Sequence, residues 1–231
     1  MRHKTILATL LLMGASSSYA SDILDTDPAD KLFNLGVRVG VNSANRTFPS
    51  ERFSAWNVNS WGTGFDAGVV LNLNMRQYLS IQPGVFFESR SGHYSLAESY
   101  VNNNNEDDYI TQLGRIRTYN LLIPVMVSVK LNVGDNFKWI LEAGPYAQLK
   151  LHASDSNKIQ VIDQPTSTSA LKWEYAKSNF FDWGAKLGTG IMYKDHYSLT
   201  VHYLAGIGDV WKSPVEGGKN KAWTFTLGYD F

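Results

Sequence analysis

From Trp223 to the carboxy terminus every second residue is large and apolar: Trp223, Phe225, Leu227, Tyr229 and Phe231, set against Thr224, Thr226, Gly228 and Asp230. Side chains of an extended chain alternate between two faces, so this period marks a β-strand with one apolar and one polar side. Seven earlier segments repeat the pattern: Leu35–Asn42, Phe65–Leu73, Leu79–Glu88, Tyr119–Leu131, Phe137–Lys150, Trp183–Tyr193 and Tyr197–Tyr203. Most have about the 9–11 residues that a tilted membrane-crossing strand needs.

The connections alternate strictly between two lengths. Asn74–Gln77, Asn132–Asn136 and Lys194–His196 are tight turns with Asn, Gly and Asp chemistry. The others, Ser43–Gly64, Ser91–Thr118, Ala153–Asp182 and Gly206–Ala222, are long. Short turns at one rim and long loops at the other are the arrangement of an outer-membrane barrel, with the short turns in the periplasm. Even strand number then puts both termini on the short-turn side.

Aromatic positions agree with this. With the first strand running outward, Phe137, Trp139, Tyr193, Tyr197, Tyr229 and Phe231 gather at the periplasmic ends of the apolar faces. Phe65, Phe87, Tyr119, Trp183, Tyr203 and Trp223 gather at the outer ends, with mostly Val, Leu, Ile and Ala between. Two girdles flanking an aliphatic band mark a lipid-facing surface. The soluble alternative is an eight-stranded lipocalin-like barrel, which turns its apolar residues inward. Its outward set would here hold Gly as often as charge. The expected fold is therefore all-β: an eight-stranded antiparallel up-and-down transmembrane barrel spanning residues 21–231.

The amino terminus supplies the export signal such a barrel requires. Arg2, His3 and Lys4 precede the apolar run Ile6–Met13, and Ser18-Tyr19-Ala20 offers a small-x-small cleavage site. Residues 1–20 read as a signal peptide, too short in its apolar core to span a bilayer as a helix. Lys plus Arg and Asp plus Glu both number 21; losing Arg2 and Lys4 with the leader tips the balance slightly acidic. No basic footprint for nucleic acid exists. Cysteine is absent, so stability must come from barrel closure and lipid contact rather than disulfides. The longest apolar run after the leader, Leu121–Val127, cannot cross a membrane as a helix.

Three stretches resemble the PorT-like outer-membrane β-barrel proteins of Bacteroidetes-type bacteria. Phe65-Asp-Ala-Gly-Val-Val70 is similar to that family's second strand. Leu79-Ser-Ile-Gln-Pro-Gly-Val-Phe-Phe-Glu-Ser-Arg-Ser-Gly92 is similar to its third, with Ile81 where leucine is usual. Tyr119-Asn-Leu-Leu-Ile-Pro-Val-Met126 is similar to its fourth, with Asn120 as an extra residue after the tyrosine. The resemblance implies the fold and an outer-membrane location, and by analogy an accessory place in a protein-export apparatus; it implies no particular activity.

Candidate chemistry is sparse. His93, His152, His196 and His202 show no ligand-like spacing on one strand, so neither metal nor cofactor is expected. His202 faces the lumen, either as a hydrogen-bonded structural residue or as a general base toward a loop-borne serine in a lipid-modifying enzyme. Gly184, Gly188 and Gly190 lie on an inner face, where small residues make room in a narrow barrel. Arg38, Glu88, Glu142 and Lys186 fall inward at similar depth, and eight strands leave an interior just wide enough for side chains. These four are expected to pair into one network that plugs the lumen. Trp56, Trp61, Trp173 and Tyr175 in the long connections either bind a glycan, lipid or protein or fold back on the barrel mouth. The expected protein is a non-enzymatic monomer with a structural or recognition role. Its expected partners are outer-membrane lipids, the barrel-assembly machinery during insertion, and an extracellular ligand or envelope protein.

Overall fold

The computed structural model describes residues 23–46, 60–101, 107–161, 179–209 and 218–231. The expected leader lies outside these, as do Trp56, Trp173 and Tyr175. Eight strands follow one another: β1 (Phe33–Arg46), β2 (Ser60–Asn74), β3 (Leu79–Val101), β4 (Asp107–Gly134), β5 (Phe137–Val161), β6 (Phe181–Tyr193), β7 (Tyr197–Gly206) and β8 (Asn220–Asp230). Each pairs antiparallel with its neighbours in sequence, and β1 pairs with β8 to close the barrel. Closure leaves no unpaired edge inside the bilayer, where an unsatisfied backbone amide would be costly. The seam is set by aromatic and branched pairs, Val37 opposite Tyr229 and Val41 opposite Phe225.

The alternation sorts side chains as expected. The odd-numbered apolar positions point outward: Val39, Val69, Val85, Val125, Leu187, Leu199, Phe225 and Leu227 are all exposed on the barrel wall. In a water-soluble molecule so much exposed aliphatic surface would be a liability; against lipid it is the required surface. Both girdles are visible as ring contacts. Phe137 meets Tyr193 at 5.0 Å and Tyr197 meets Tyr229 at 5.2 Å on the short-turn side. On the other side Tyr203 meets Trp223 at 4.8 Å and Phe65 meets Phe87 at 6.2 Å. Trp61, near the start of β2, is exposed and stands opposite Gly92 at an irregularity in the β2–β3 register.

The short turns join β2 to β3, β4 to β5 and β6 to β7 on one rim. In the last of these Lys194 and Asp195 both have positive φ, 51° and 59°, the backbone that lets a two-residue reversal follow the twist of its flanking strands. The amino-terminal segment 23–32 runs across the same rim: Gln77 N–H donates to the Asp27 carbonyl at 3.1 Å, and the Arg76 guanidinium to the Thr26 carbonyl at 3.2 Å.

The outer connections differ from expectation. Ser91–Thr118 and Ala153–Asp182 are expected as loops, but β3, β4 and β5 run 23, 28 and 25 residues, far beyond a membrane crossing, and take in Ala153–Val161 of the second connection, whose residues 162–178 lie outside the described ones. Their pairing continues to Val101 opposite Asp107 and to Ile110 opposite Val161. The apolar alternation stops near Tyr119 because beyond the girdle neither face meets lipid, while the backbone ladder that defines the strand carries on. Pairing of β2 with β3 ends at His93 and of β5 with β6 at Leu149. Among the described residues a three-stranded blade therefore rises above the rim on one side.

Candidate functional site

The inward-facing residues of the eight strands fill the lumen. Arg38, Glu88, Lys186 and His202 are buried, as are Asp66, Arg90, Asp182 and Asp230. Two ion pairs and a histidine–carboxylate hydrogen bond lie at successive distances from the short-turn rim. Nearest the rim, the Arg38 guanidinium meets the Asp230 carboxylate at 2.7 Å and also donates to the carbonyls of Val37 and Tyr229. Further in, His202 Nε2 and Glu142 Oε2 approach to 2.6 Å. Beyond them Arg90 meets Glu88 at 2.8 Å from the same face of β3. A cavity of about 20 Å³ lies among Arg38, Gln82, Glu142, Lys186, Thr200 and Thr226, room for roughly one water.

Glycines make these pairs possible. A Cβ on Gly36 would strike the Asp230 carboxylate and the Arg38 guanidinium, and one on Gly228 would strike the Arg38 stem. A Cβ on Gly188 would strike the His202 imidazole, which lies directly opposite on β7. The small residues on the inner face of β6 are thus spacers, the role expected of Gly184, Gly188 and Gly190.

The four residues expected to pair with one another all face inward, but they do not form one directly paired network. No ion pair links any two of Arg38, Glu88, Glu142 and Lys186. Arg38 takes Asp230, Glu88 takes Arg90, and Glu142 takes His202. The Lys186 ammonium lies 5.1 Å from the centre of the Phe86 ring instead, a cation–π contact. Alternation assigns a residue to a face, whereas pairing depends on angular position and on the stagger between tilted strands. Arg38 reaches Asp230 because β1 and β8 are neighbours across the seam.

Sequence reasoning also missed an apolar share of the plug. Phe86, Leu122, Tyr146 and Leu204 are buried together with Ala44, Val70 and Ala222 on the lumen side. Above them the Tyr146 hydroxyl donates to Asp182 at 3.3 Å, and Asn220 donates to the same oxygen at 2.8 Å. Parity marks these residues as inward, but their meeting rests on register that the sequence does not reveal. Among the described residues no cluster of three or more metal-ligating side chains occurs.

The model of the outer membrane protein beta-barrel domain matches residues 19–212. The chain belongs to this family. Its solved structural relatives are distant in sequence. Ail, the attachment invasion locus protein of Yersinia pestis, is 8% identical; the match covers 87% of this chain and 100% of that one, with a TM-score of 0.37. Neisserial surface protein A is 12% identical over 85% of this chain and 97% of that one, at 0.44. OprG from Pseudomonas aeruginosa is 10% identical over 90% and 99%, at 0.40. No match emerges among curated proteins. As a member of the outer membrane protein beta-barrel domain family, the protein resides in the outer membrane as a closed antiparallel barrel.

Proposed function

We propose that this protein is a closed-lumen barrel with a structural and recognition role, its work done by the surface it presents outside the cell and not by passage of solute. The observation that carries this reading is the stack of two buried ion pairs, Arg38–Asp230 and Arg90–Glu88, with the Glu142–His202 hydrogen bond between them, packed against the apolar cluster around Phe86. A selective pore needs an open lumen and usually one dominant charge sign; here both signs neutralise each other and side chains occupy the space. The blade formed by β3, β4 and β5 is the natural recognition element, since it extends beyond what membrane crossing requires. Planar-bilayer recordings of the purified protein test the reading: only brief or no conductance is expected, and steady large openings would refute it.

A second reading keeps His202 as the base of a lipid-modifying enzyme. Its support is the 2.6 Å contact with Glu142, the arrangement that orients an imidazole. Against it, His202 has no hydroxyl bonded to it among the described residues, and both partners are buried inside the barrel. Incubation with phospholipid and lipid A, with product analysis, separates the two: acyl release lost in His202→Gln would establish the enzyme. Membership of the PorT-like branch, and with it an accessory place in protein export, is supported by the Leu79–Gly92 and Tyr119–Met126 stretches.

A further inference from the structure

The outer girdle is continuous across one wall. Phe65 leads to Phe87 at 6.2 Å, Phe87 stacks on Tyr119 at 6.0 Å, and Tyr119 stacks on His152 at 6.3 Å, a ladder of rings across β2 to β5. Directly above Tyr119 on the same face of β4 stand Arg117 and then Arg115. Arg117 is exposed and makes no hydrogen bond or ion pair with any described side chain. Arg115 leans down the strand, donating to Ser91 Oγ at 3.4 Å, and its Nε is buried with no partner. The outward neighbours of Arg117 are Ser91 on β3 and Ser154 on β5. No carboxylate projects from this part of the wall among the described side chains.

Depth identifies what such a patch meets. Two residues along a strand rise about 7 Å, less after the barrel tilt, which carries Arg117 from the girdle into the headgroup layer some 5–7 Å thick. With the short turns periplasmic, this is the outer leaflet. Two guanidiniums with no counter-ion among the described side chains, flanked by the Ser154 hydroxyl and a histidine, are complementary to phosphate. The rings and the aliphatic strip beneath suit a sugar face and acyl chains.

We infer that the wall formed by Arg115, Arg117, Tyr119 and His152 is a binding site for a phosphorylated glycolipid of the outer leaflet, of the lipid A type. The phosphate sits between the two arginines, and the acyl chains run down the apolar face of β3 to β5. The donors lie on two adjacent strands, the two guanidiniums on β4 and Ser154 and His152 on β5, while Ser91 Oγ donates to the Thr63 carbonyl at 2.6 Å and accepts from Arg115.

The test uses the full barrel in phosphatidylcholine nanodiscs doped with diphosphorylated lipid A, with its dephosphorylated form, or with phosphatidylglycerol. Lipid retained after detergent extraction is counted by native mass spectrometry. The unmodified protein should retain diphosphorylated lipid A roughly tenfold over the dephosphorylated form, as expected for charge-assisted contacts, and should prefer it to phosphatidylglycerol. Arg115→Gln with Arg117→Gln should abolish the preference, the paired Lys variants should keep part of it, and Lys221→Gln, on β8 of the opposite wall, should leave it intact. Equal retention of the dephosphorylated lipid, equal loss in Lys221→Gln, or equal retention of phosphatidylglycerol would overturn the site. If the Gln pair fails to fold, the three lipids with unmodified protein still decide.

Discussion

The Arg38 guanidinium and the Asp230 carboxylate meet at 2.7 Å across the seam where the first and last strands join. They are the buried ionic contact by which the two ends of the chain hold each other from inside, and Gly36 and Gly228 are the residues that leave space for it. The seam is the one pairing of the barrel made between strands that are not neighbours in sequence.

Removing one partner leaves a buried charge uncompensated. Arg38→Met or Asp230→Leu should each destabilise the barrel by about 3–5 kcal/mol, while the double variant should cost clearly less than either single change. Urea unfolding in lipid vesicles, followed by tryptophan fluorescence and heat-modifiable gel mobility, measures all three. Purely additive losses would mean that the contact contributes nothing.

Gly188 tests the neighbouring pair. Alanine there pushes the His202 ring away from Glu142, so Gly188→Ala should cost about 1–3 kcal/mol, the usual range for overpacking. The same substitution in a His202→Ala background should be nearly neutral, because the colliding ring is gone. Equal costs in both backgrounds would place the strain in the backbone carbonyls near Gly188 instead.

Lipid exposure of the wall is checked at Leu187, exposed between Ala143 and Tyr203 in the middle of its strand. Leu187→Arg should cost about 2–4 kcal/mol, the value for a cation at the bilayer midplane. The equivalent substitution near a rim, Leu35→Arg, should cost much less. A soluble barrel would tolerate both changes alike.

Topology is accessible because the chain has no cysteine. A single Asn103→Cys variant should react with an impermeant maleimide on intact cells, while Asp135→Cys, in the β4–β5 turn, should react only after the outer membrane is opened. The reverse labelling would invert the barrel.

The wall of the barrel was legible in the sequence because lipid enforces a strict period: Val37, Val39 and Val41, or Leu199 and Val201, could be assigned a face one residue at a time. The blade was not, because beyond the girdle at Tyr119 the strands leave the lipid that enforces the period, and the backbone pairing that makes them strands leaves no mark in composition. The lumen falls between. Parity placed Arg38, Glu88, Glu142 and Lys186 inside, yet their partners followed from which strands lie side by side: Glu142, Gly188 and His202 stand in line across β5, β6 and β7, Asp230 comes to Arg38 across the β1–β8 seam, and Arg90 lies two residues from Glu88 on the same face of β3. A period of two fixes a direction; only strand stagger fixes a neighbour.

Among the described residues, the rise of β3, β4 and β5 above the rim gives the cylinder a distinct front. Whatever approaches from the medium is met first on one bearing, directly over the arginines at the foot of the blade. A rigid contact made there would stop the molecule spinning about the membrane normal, so a single attachment would fix its heading in the plane as well as its position.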